Sequence, residues 1–189
     1  MKWFRGSLRF LLEKEGYVGK PYWPGGNSGV TLDPGVDLGY ADWELVERVY
    51  RPLVNDRGWR AMERARGVRG SDAKGLVPVL RRAGIRISEA DALALMEVVA
   101  EPYWLGIVQR FPVLKRETTP EEVQTAMLSL AYNRGVWNGH VEVLKEPLRK
   151  GDWDEVGRLI SRMQQKHRLA GVRARRRDEG ALITGRMVA

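Results

Sequence analysis

The sequence predicts a mainly helical α+β protein, with a small N-terminal part that carries a short β-hairpin and a larger helical remainder. Three observations predict it. Apolar residues recur at helical spacing in residues 8–15, whereas residues 16–41 are rich in glycine and aromatic residues and include an alternating segment after Pro34. From residue 42 onward, helix-starting and helix-ending residues flank successive amphipathic segments. With 189 residues, 43% of them hydrophobic, the chain is long enough to bury a core.

The first predicted helix, residues 7–15, ends on a carboxylate that shares its apolar face. Glu15 lies seven residues after the first apolar residue of that face, and Gly16 follows as a helix-ending residue. A carboxylate that faces the core at the negative end of a helix has its ionised form disfavoured, so we expect Glu15 to stay protonated near neutral pH. Glu13 points away from this face. The apolar stripe consists of Leu8, Leu11 and Leu12.

A second carboxylate must come from the glycine-rich segment, where the candidates are Asp33 and Asp37. Asp33 precedes a Pro-Gly pair, which is ordinary turn chemistry. Asp37 lies in an alternating segment, where a strand sends apolar and polar side chains to opposite faces. Thr31 lies six residues before Asp37, and this even spacing places both on one face of an extended segment unless the turn folds them apart.

These carboxylates indicate a site that cleaves glycosidic bonds. Glycoside hydrolysis uses one protonated acid and one ionised carboxylate on opposite sides of the scissile bond. The chain has no cysteine, and its two histidines, His140 and His167, lack the spacing of a metal site. We therefore expect no metal and no cofactor.

The residues around the two acids resemble the phage lysozyme superfamily, and most closely its pesticin-type branch. The likeness consists of Glu-Gly after a short helix, a Gly/Tyr-rich segment, Gly-Val-Thr and Asp-x-Gly. That branch orders its active residues as Glu, Thr and Asp, which implies Glu15, Thr31 and Asp37 as the catalytic residues. The commoner phage lysozymes place an aspartate before the threonine, where this chain has Trp23 or Pro24.

Two downstream segments extend the likeness. Residues 129–135 resemble the family's central helix, which ends in an aromatic-Asn-x-Gly element, and Arg175, Arg176 and Glu179 resemble part of its closing helix. The resemblance implies a lysozyme-like fold that forms a single catalytic domain over residues 1–189. A first lobe, 1–41, would carry the site, a helical lobe would follow over 42–189, and no separate wall-binding module is expected.

The activity implied is that of a muramidase, which cleaves the β-1,4 bond between N-acetylmuramic acid and N-acetylglucosamine in bacterial peptidoglycan and lyses the cell, as phage endolysins do. Glu15 would protonate the glycosidic oxygen, while Asp37, helped by the Thr31 hydroxyl, would orient an attacking water. A structural alternative remains open, in which Glu15 pairs with an arginine of the last helix.

Four residues are candidates for binding the substrate. Trp23, beside Tyr22, is placed to stack on a sugar ring, although a tryptophan flanked by proline and glycine often anchors its own loop. Asn133 and Arg134 end the predicted central helix, where they either reach the cleft or cap the helix.

Helix signals continue to the end of the chain. Thr119 and Pro120 predict the start of a central core helix, and Ser88 predicts the start of a helix that Pro102 kinks or restarts. Further helices are predicted at residues 42–51, 59–66, 72–82, 152–163 and 169–183.

The chain is basic, with 32 Lys and Arg against 24 Asp and Glu and a formal net charge of +8. Its densest positive run begins at Lys166 and ends at Arg177, and predicts contact with an anionic wall or outer-membrane surface unless it is simply a solvated helix face. No nucleic-acid-binding motif accompanies the run, so specific nucleic-acid binding is not expected. Two rival functions remain: a basic nucleic-acid-binding protein, and a cationic membrane-disrupting or phage structural protein on a lysozyme-like fold.

The N-terminal apolar stretch is interrupted by Arg9 and is too short for a signal peptide. We therefore expect a monomer that is made in the host cytoplasm. It would reach peptidoglycan in the cell wall or periplasm after release through a phage pore protein, with a virion or as a toxin.

Overall fold

The computed structural model describes residues 1–185, which form a mainly helical fold with one short antiparallel sheet. The mainly helical α+β class predicted from the sequence is confirmed. The α-helices are α1 Leu8–Glu15, α2 Trp43–Tyr50, α3 Asp56–Ala65, α4 Gly70–Arg82, α5 Glu89–Arg110, α6 Glu121–Arg134, α7 Lys145–Lys150, α8 Trp153–Arg162 and α9 Ala170–Ile183. The strands are β1 Thr31–Leu32 and β2 Val36–Asp37, and 3-10 helices cover Arg51–Leu53, Pro112–Lys115 and Gly139–Leu144.

The chain divides into two compact units. The middle unit is Glu15–Val98, and the terminal unit combines Met1–Lys14 with the chain from Val99 onward. The sequence instead placed a boundary between residues 41 and 42. In the structure α2, α3, α4 and the first part of α5 belong to the same unit as the hairpin, whereas the later helices belong to the terminal unit.

Hydrogen bonds join the helices of the middle unit to its glycine-rich segment. The Tyr50 hydroxyl of α2 donates to the carbonyl of Asp33 at 2.8 Å. The amide of Gly70, at the start of α4, donates to the carbonyl of Ser28 at 2.9 Å. Because buried backbone carbonyls need partners, these bonds fix the loops on either side of the sheet.

Helix α1 forms as its sequence pattern predicts. The Ser7 hydroxyl accepts a hydrogen bond from the amide of Phe10, and Gly16 follows the helix with a positive φ of 81°, which glycine adopts without strain. Glu13 is exposed and Glu15 is half-buried, in agreement with the different faces predicted for them.

The β-hairpin folds at the turn that the sequence indicated. Its register pairs Thr31 with Asp37 and Leu32 with Val36, and the amide of Gly35 donates to the carbonyl of Leu32 at 2.8 Å. Residues directly opposite each other in an antiparallel pair project from the same face. The turn therefore brings Thr31 and Asp37 side by side rather than folding them apart.

The sequence predicts that Pro102 kinks or restarts the helix in which it lies. Helix α5 continues through Pro102, so of these two alternatives the restart does not occur. Proline has no N–H, and the carbonyl of Val98, four residues earlier, therefore receives no helical hydrogen bond from it. The division between the two units falls between Val98 and Val99, at this same point of the helix. Met96 and Trp104 are fully buried on either side of the proline, and such burial outweighs the local cost of the missing bond.

Helix α6 is the central core helix of the terminal unit, as predicted, because every residue from 123 to 131 is buried. Its start differs from the prediction. Pro120 is the N-cap residue and the helix begins at Glu121, while the Thr119 hydroxyl donates to the carbonyl of Val113 at 2.7 Å. Thr119 is therefore a buried loop anchor rather than the capping side chain.

Of the remaining helices, α7 was not predicted from the sequence, α3 starts three residues before the predicted Trp59, and the others begin close to where the sequence predicts them. The side chains of Asp42, Asn55 and Asp152 cap α2, α3 and α8 by accepting backbone N–H bonds. Among residues 1–185, no helix combines the length and the apolar composition that crossing a bilayer requires.

Candidate active site

Three of the predicted site residues form a row across the extended segments of the middle unit. Thr31 lies between Asp37, its partner in the hairpin, and Tyr22, with which it forms an isolated antiparallel bridge. The bridge consists of two bonds, from the amide of Tyr22 to the carbonyl of Thr31 at 3.0 Å and from the amide of Thr31 back to the carbonyl of Tyr22 at 2.8 Å. Directly opposite residues share a face, so the three side chains leave the same side of the sheet.

Backbone amides hold the carboxylate of Asp37 in place. The amide of Gly29 donates to both oxygens at 2.9 and 3.0 Å, and the amide of Gly39 donates to Oδ1 at 2.8 Å. A Cβ at Gly29 would lie 2.3 Å from Oδ1 of Asp37, and one at Gly39 would lie 2.9 Å from the carbonyl of Val68. Both positions therefore need glycine for the backbone to approach the carboxylate this closely.

The hydroxyl of Thr31 is buried without a partner. The residue is 3% exposed, and within residues 1–185 its Oγ1 has no hydrogen-bond partner. A buried hydroxyl without a partner costs free energy, and such groups in folded proteins call for an explanation such as an ordered water or a catalytic role. Thr31 thus offers a free donor and acceptor next to the anchored carboxylate of Asp37.

Tyr22 connects this row electrostatically with Glu15. Burial raises the pKa of the Tyr22 phenol, and the negative charges of Asp33, Glu15 and Asp37 raise it further. A negative charge disfavours the ionised phenolate only when it lies close by. The charges of Glu15 and Asp37 therefore both act on one phenol, and all three residues belong to the same unit of the fold.

This arrangement predicts an alkaline titration. Because its pKa lies above the ordinary 10.0 in the folded state, Tyr22 contributes stability that is fully present below about pH 10 and is lost as the pH rises through the raised value. The difference in ultraviolet absorbance between the wild type and Tyr22→Phe during an alkaline titration should show a phenol that ionises above pH 10.0. Asp37→Asn should move that transition to lower pH. A Tyr22 transition at or below the ordinary value would contradict the arrangement.

Asp33 has a different role from Asp37. It is fully buried, and its two oxygens accept the amides of Val18 at 3.0 Å and Gly19 at 2.6 Å. This carboxylate therefore fixes the segment that follows α1, and both of its oxygens are already engaged with the backbone.

Trp23 anchors its own loop, which is one of the two roles that its sequence context suggested. Its indole N–H donates to the carbonyl of Ser28 at 3.0 Å, and the ammonium of Lys74 lies 5.6 Å from the ring centroid. The half-buried ring is held at a fixed position after Tyr22. Its stacking on a sugar stays a prediction.

Asn133 and Arg134 belong to the terminal unit, at the end of α6. The side-chain oxygen of Asn133 accepts a hydrogen bond from Arg176 at 3.2 Å, and the Arg134 guanidinium lies 3.5 Å from the side-chain oxygen of Asn138. Burial lowers the pKa of Arg134, while the charge of Glu179 opposes that effect. These contacts match the capping and pairing roles that the sequence left open beside substrate binding.

The closing helix α9 buries an ionic cluster. Glu179 is fully buried, and its Oε1 accepts hydrogen bonds from the Ser129 hydroxyl at 2.5 Å, from Arg176 at 2.8 Å and from Arg175 at 3.3 Å. Burial raises the pKa of Glu179, whereas the two positive charges and the Ser129 hydrogen bond lower it.

This cluster corrects the prediction for the positive run between residues 166 and 177. Arg175 is 6% exposed and Arg176 is 0% exposed, so these two charges do not lie on a solvated face or on a binding surface. The reason is the glutamate three to four residues further along the helix, which pairs with both arginines. Lys166, Arg168 and Arg177 are exposed and remain available for a contact with an anionic surface.

Sequence reasoning missed the glycines that hold Asp37 and the position of Tyr22 in the row. A signal for the glycines was present, because Gly29 comes two residues before Thr31 and Gly39 two residues after Asp37. No comparable signal marks the one-residue bridge of Tyr22. Among residues 1–185, no three acidic or histidine side chains form a group that could hold a metal ion.

A scan against protein-family models and a search of curated proteins each found no match to this chain. The likeness to the phage lysozyme superfamily therefore rests on the residues themselves.

Proposed function

We infer that this chain is a peptidoglycan hydrolase of the muramidase type, built on a lysozyme-like fold and acting in bacterial lysis. The observation that carries the inference is the row of Tyr22, Thr31 and Asp37, in which an unpartnered buried hydroxyl lies beside an anchored carboxylate. The charge of Glu15 acts on the phenol of the same row. The chemistry follows from these groups, and the substrate follows from the sequence resemblance.

The proposed reaction assigns one role to each group. The Glu15 carboxyl gives its proton to the glycosidic oxygen as the bond from that oxygen to the anomeric carbon breaks. A water held by the Thr31 hydroxyl and Asp37 attacks the anomeric carbon, and Asp37 takes the proton that this water loses. The products are a new reducing end and a free hydroxyl on the neighbouring sugar, and the configuration at the anomeric carbon is inverted.

Asp37 suits the role of base better than Asp33. Both carboxylates accept backbone amides through both of their oxygens, but Asp33 is fully buried in the core, whereas Asp37 is half-buried and adjoins the free hydroxyl of Thr31. A base must have an oxygen within hydrogen-bond reach of the attacking water. We assign the role to Asp37 because it is the less buried of the two carboxylates.

The direct test is digestion of purified peptidoglycan followed by identification of the new reducing ends. Muramidase activity gives N-acetylmuramic acid at the reducing end, and proton NMR taken during the reaction should show its α-anomer first, because a β bond is cleaved with inversion. Reducing N-acetylglucosamine, or no release of sugar ends at all, would contradict the assignment. The β-anomer as first product would place a covalent intermediate on Asp37 instead of a water.

Thr31→Val tests the role of the unpartnered hydroxyl. Valine keeps the branched shape but removes a buried polar atom that has no partner, so the free energy of unfolding should stay unchanged or rise. Hydrolysis should fall by roughly 10²-fold, the scale of an acid-base contribution, because the attacking water loses its partner. Thermal melting and reducing-end release measure the two effects separately.

Thr31→Ser is the matched control, since serine keeps the hydroxyl and should retain most of the activity. If Thr31→Val lowered stability and activity together, the hydroxyl would be a structural group, and its role in holding water would be wrong.

A further inference from the structure

A groove lined by four arginines lies between α3 and α4 of the middle unit. It has a volume of about 230 Å³, and its apolar lining comes from Ala61, Val79 and Ala83. We call it the arginine groove. Its charged lining residues are Arg57, Arg60, Arg64 and Arg82.

The four arginines are exposed, and among residues 1–185 none of their guanidinium groups has an ion-pair or hydrogen-bond partner. The two acidic residues of α3 have partners elsewhere. Asp56 pairs with Arg51 at 2.5 Å, and Glu63 accepts the indole N–H of Trp59 at 3.0 Å. The positive charges in the groove are therefore not neutralised by the helix that carries most of them.

Repulsion among three of these arginines destabilises helix α3, which carries them. Arg57, Arg60 and Arg64 follow one another at intervals of three and four residues, so like charges are neighbours on one face of α3. The middle unit contains twelve Lys and Arg and twelve Asp and Glu, so it is neutral as a whole and the groove is a local concentration of charge. Uncompensated like charges beside an apolar floor are typical of a site whose partner is an anion.

The chemistry of the groove favours phosphate. Guanidinium groups bind phosphate oxygens through two parallel N–H bonds, which makes arginine well suited to phosphate recognition. The alanine and valine side chains of the floor can contact the carbon atoms that join successive phosphates. The volume is below the roughly 300 to 1,000 Å³ of a drug-sized ligand pocket, so it accommodates one or two repeats of a single chain and not a duplex.

The groove belongs to the same unit as the candidate active site. Arg81, next to Arg82 on α4, donates through Nε to the carbonyl of Pro21 at 2.8 Å, and Pro21 immediately precedes Tyr22. Helix α4 therefore contributes to the groove and also contacts the segment that carries the site.

We propose that the arginine groove binds the phosphodiester groups of a polyol-phosphate or sugar-phosphate polymer of the bacterial envelope. This ligand rests on the proposed function, because such polymers surround the peptidoglycan that the site would cleave. A wall-attached polymer held in the groove raises the effective concentration of glycan near the same unit of the enzyme.

The test compares two double variants of the full-length protein that lose the same charge. Arg60→Gln/Arg64→Gln removes two groove arginines, and Arg48→Gln/Arg86→Gln removes two exposed arginines of the same unit outside the groove. With soluble poly(glycerol phosphate) as the probe, the groove variant should bind at least about tenfold more weakly than the wild type and show a shallower salt dependence. The control variant should stay close to the wild type in both measurements. Circular dichroism melting checks that both variants are folded.

Two results would overturn this assignment. An equal loss of binding in both double variants would mean that the polymer responds to diffuse charge and not to the groove. Tighter, groove-dependent binding of a single-stranded oligonucleotide with the same number of phosphates would mean that the occupant is a nucleic acid.

Hydrolysis assays separate this inference from the proposed function. Walls stripped of phosphate polymers and intact walls are digested in parallel, and the ratio of the intact-wall rate to the stripped-wall rate should fall in the groove variant. If stripped walls are cleaved but the probe binds both variants alike, only the groove assignment fails. If no wall is cleaved while groove-dependent probe binding persists, the muramidase assignment fails and the groove remains a phosphate site.

Discussion

We expect the replacement of Glu15 by glutamine to lower the rate of peptidoglycan hydrolysis roughly 10²- to 10⁴-fold, the contribution typical of a general acid. Glutamine keeps the size of the side chain at the end of α1 but cannot give a proton to the leaving oxygen. Thermal melting of the variant is measured in parallel, so that the loss of the acid is distinguished from a loss of folding. The rate is measured as the release of reducing ends from purified peptidoglycan.

Glu13→Gln is the matched control, because Glu13 lies two residues earlier on the same helix, is exposed, and undergoes the same exchange of a carboxyl group for an amide. Its activity should remain close to that of the wild type. A Glu15→Gln protein that cleaves peptidoglycan at the parent rate would end the muramidase assignment. If that variant killed bacteria without releasing sugar ends, the killing would be membrane disruption instead.

Replacing Glu179 by alanine lowers the free energy of unfolding by about 3 to 5 kcal/mol, the usual cost of removing one partner from a buried ionic cluster. The change takes the shared acceptor away from the Ser129 hydroxyl and from two buried guanidinium groups, and it leaves a cavity beside α6. For a chain of this length, the loss corresponds to a decrease in melting temperature of roughly 6 to 20 °C. Thermal or denaturant unfolding measures the change.

Glu146→Ala provides the comparison. Glu146 pairs with Arg149 three residues away on α7, but both side chains are exposed, and exposed pairs of this kind contribute little. Its melting temperature should stay near that of the wild type. A Glu179→Ala protein that melts as the wild type does would show that the buried cluster does not hold α9 against α6.

The elements of the fold that local signals specify were predictable from the sequence. The apolar stripe and Gly16 correctly gave the extent of α1 and the different faces of Glu13 and Glu15. The spacing of Thr31 and Asp37 correctly suggested a shared face, but the sequence alone did not settle whether the turn between them would fold the two residues apart. In the structure they share a face through cross-strand pairing.

Features that depend on contacts between distant segments were not predictable in this way. The burial of Arg175 and Arg176 requires Ser129 from another helix, so a run of charges in the sequence indicates a solvated face instead. The arginine groove arises because α3 and α4 pack together, and neither helix reveals it alone. The continuity of α5 at Pro102 likewise depends on burial, which overrides a local helix-breaking signal.

The glycines around Asp37 limit how this protein can be made more heat-resistant. Exchanging glycine for alanine often stabilises a protein because it restricts the unfolded chain. At Gly29 and Gly39 the exchange for alanine would not stabilise the protein, because the added methyl group would collide with the carboxylate or with the backbone beside it. At Gly75, inside α4, no atom of another segment lies within 4 Å of an added methyl group, so alanine fits there without a steric clash. Thermostabilising changes therefore belong on the helices, and the hairpin has to be left as it is.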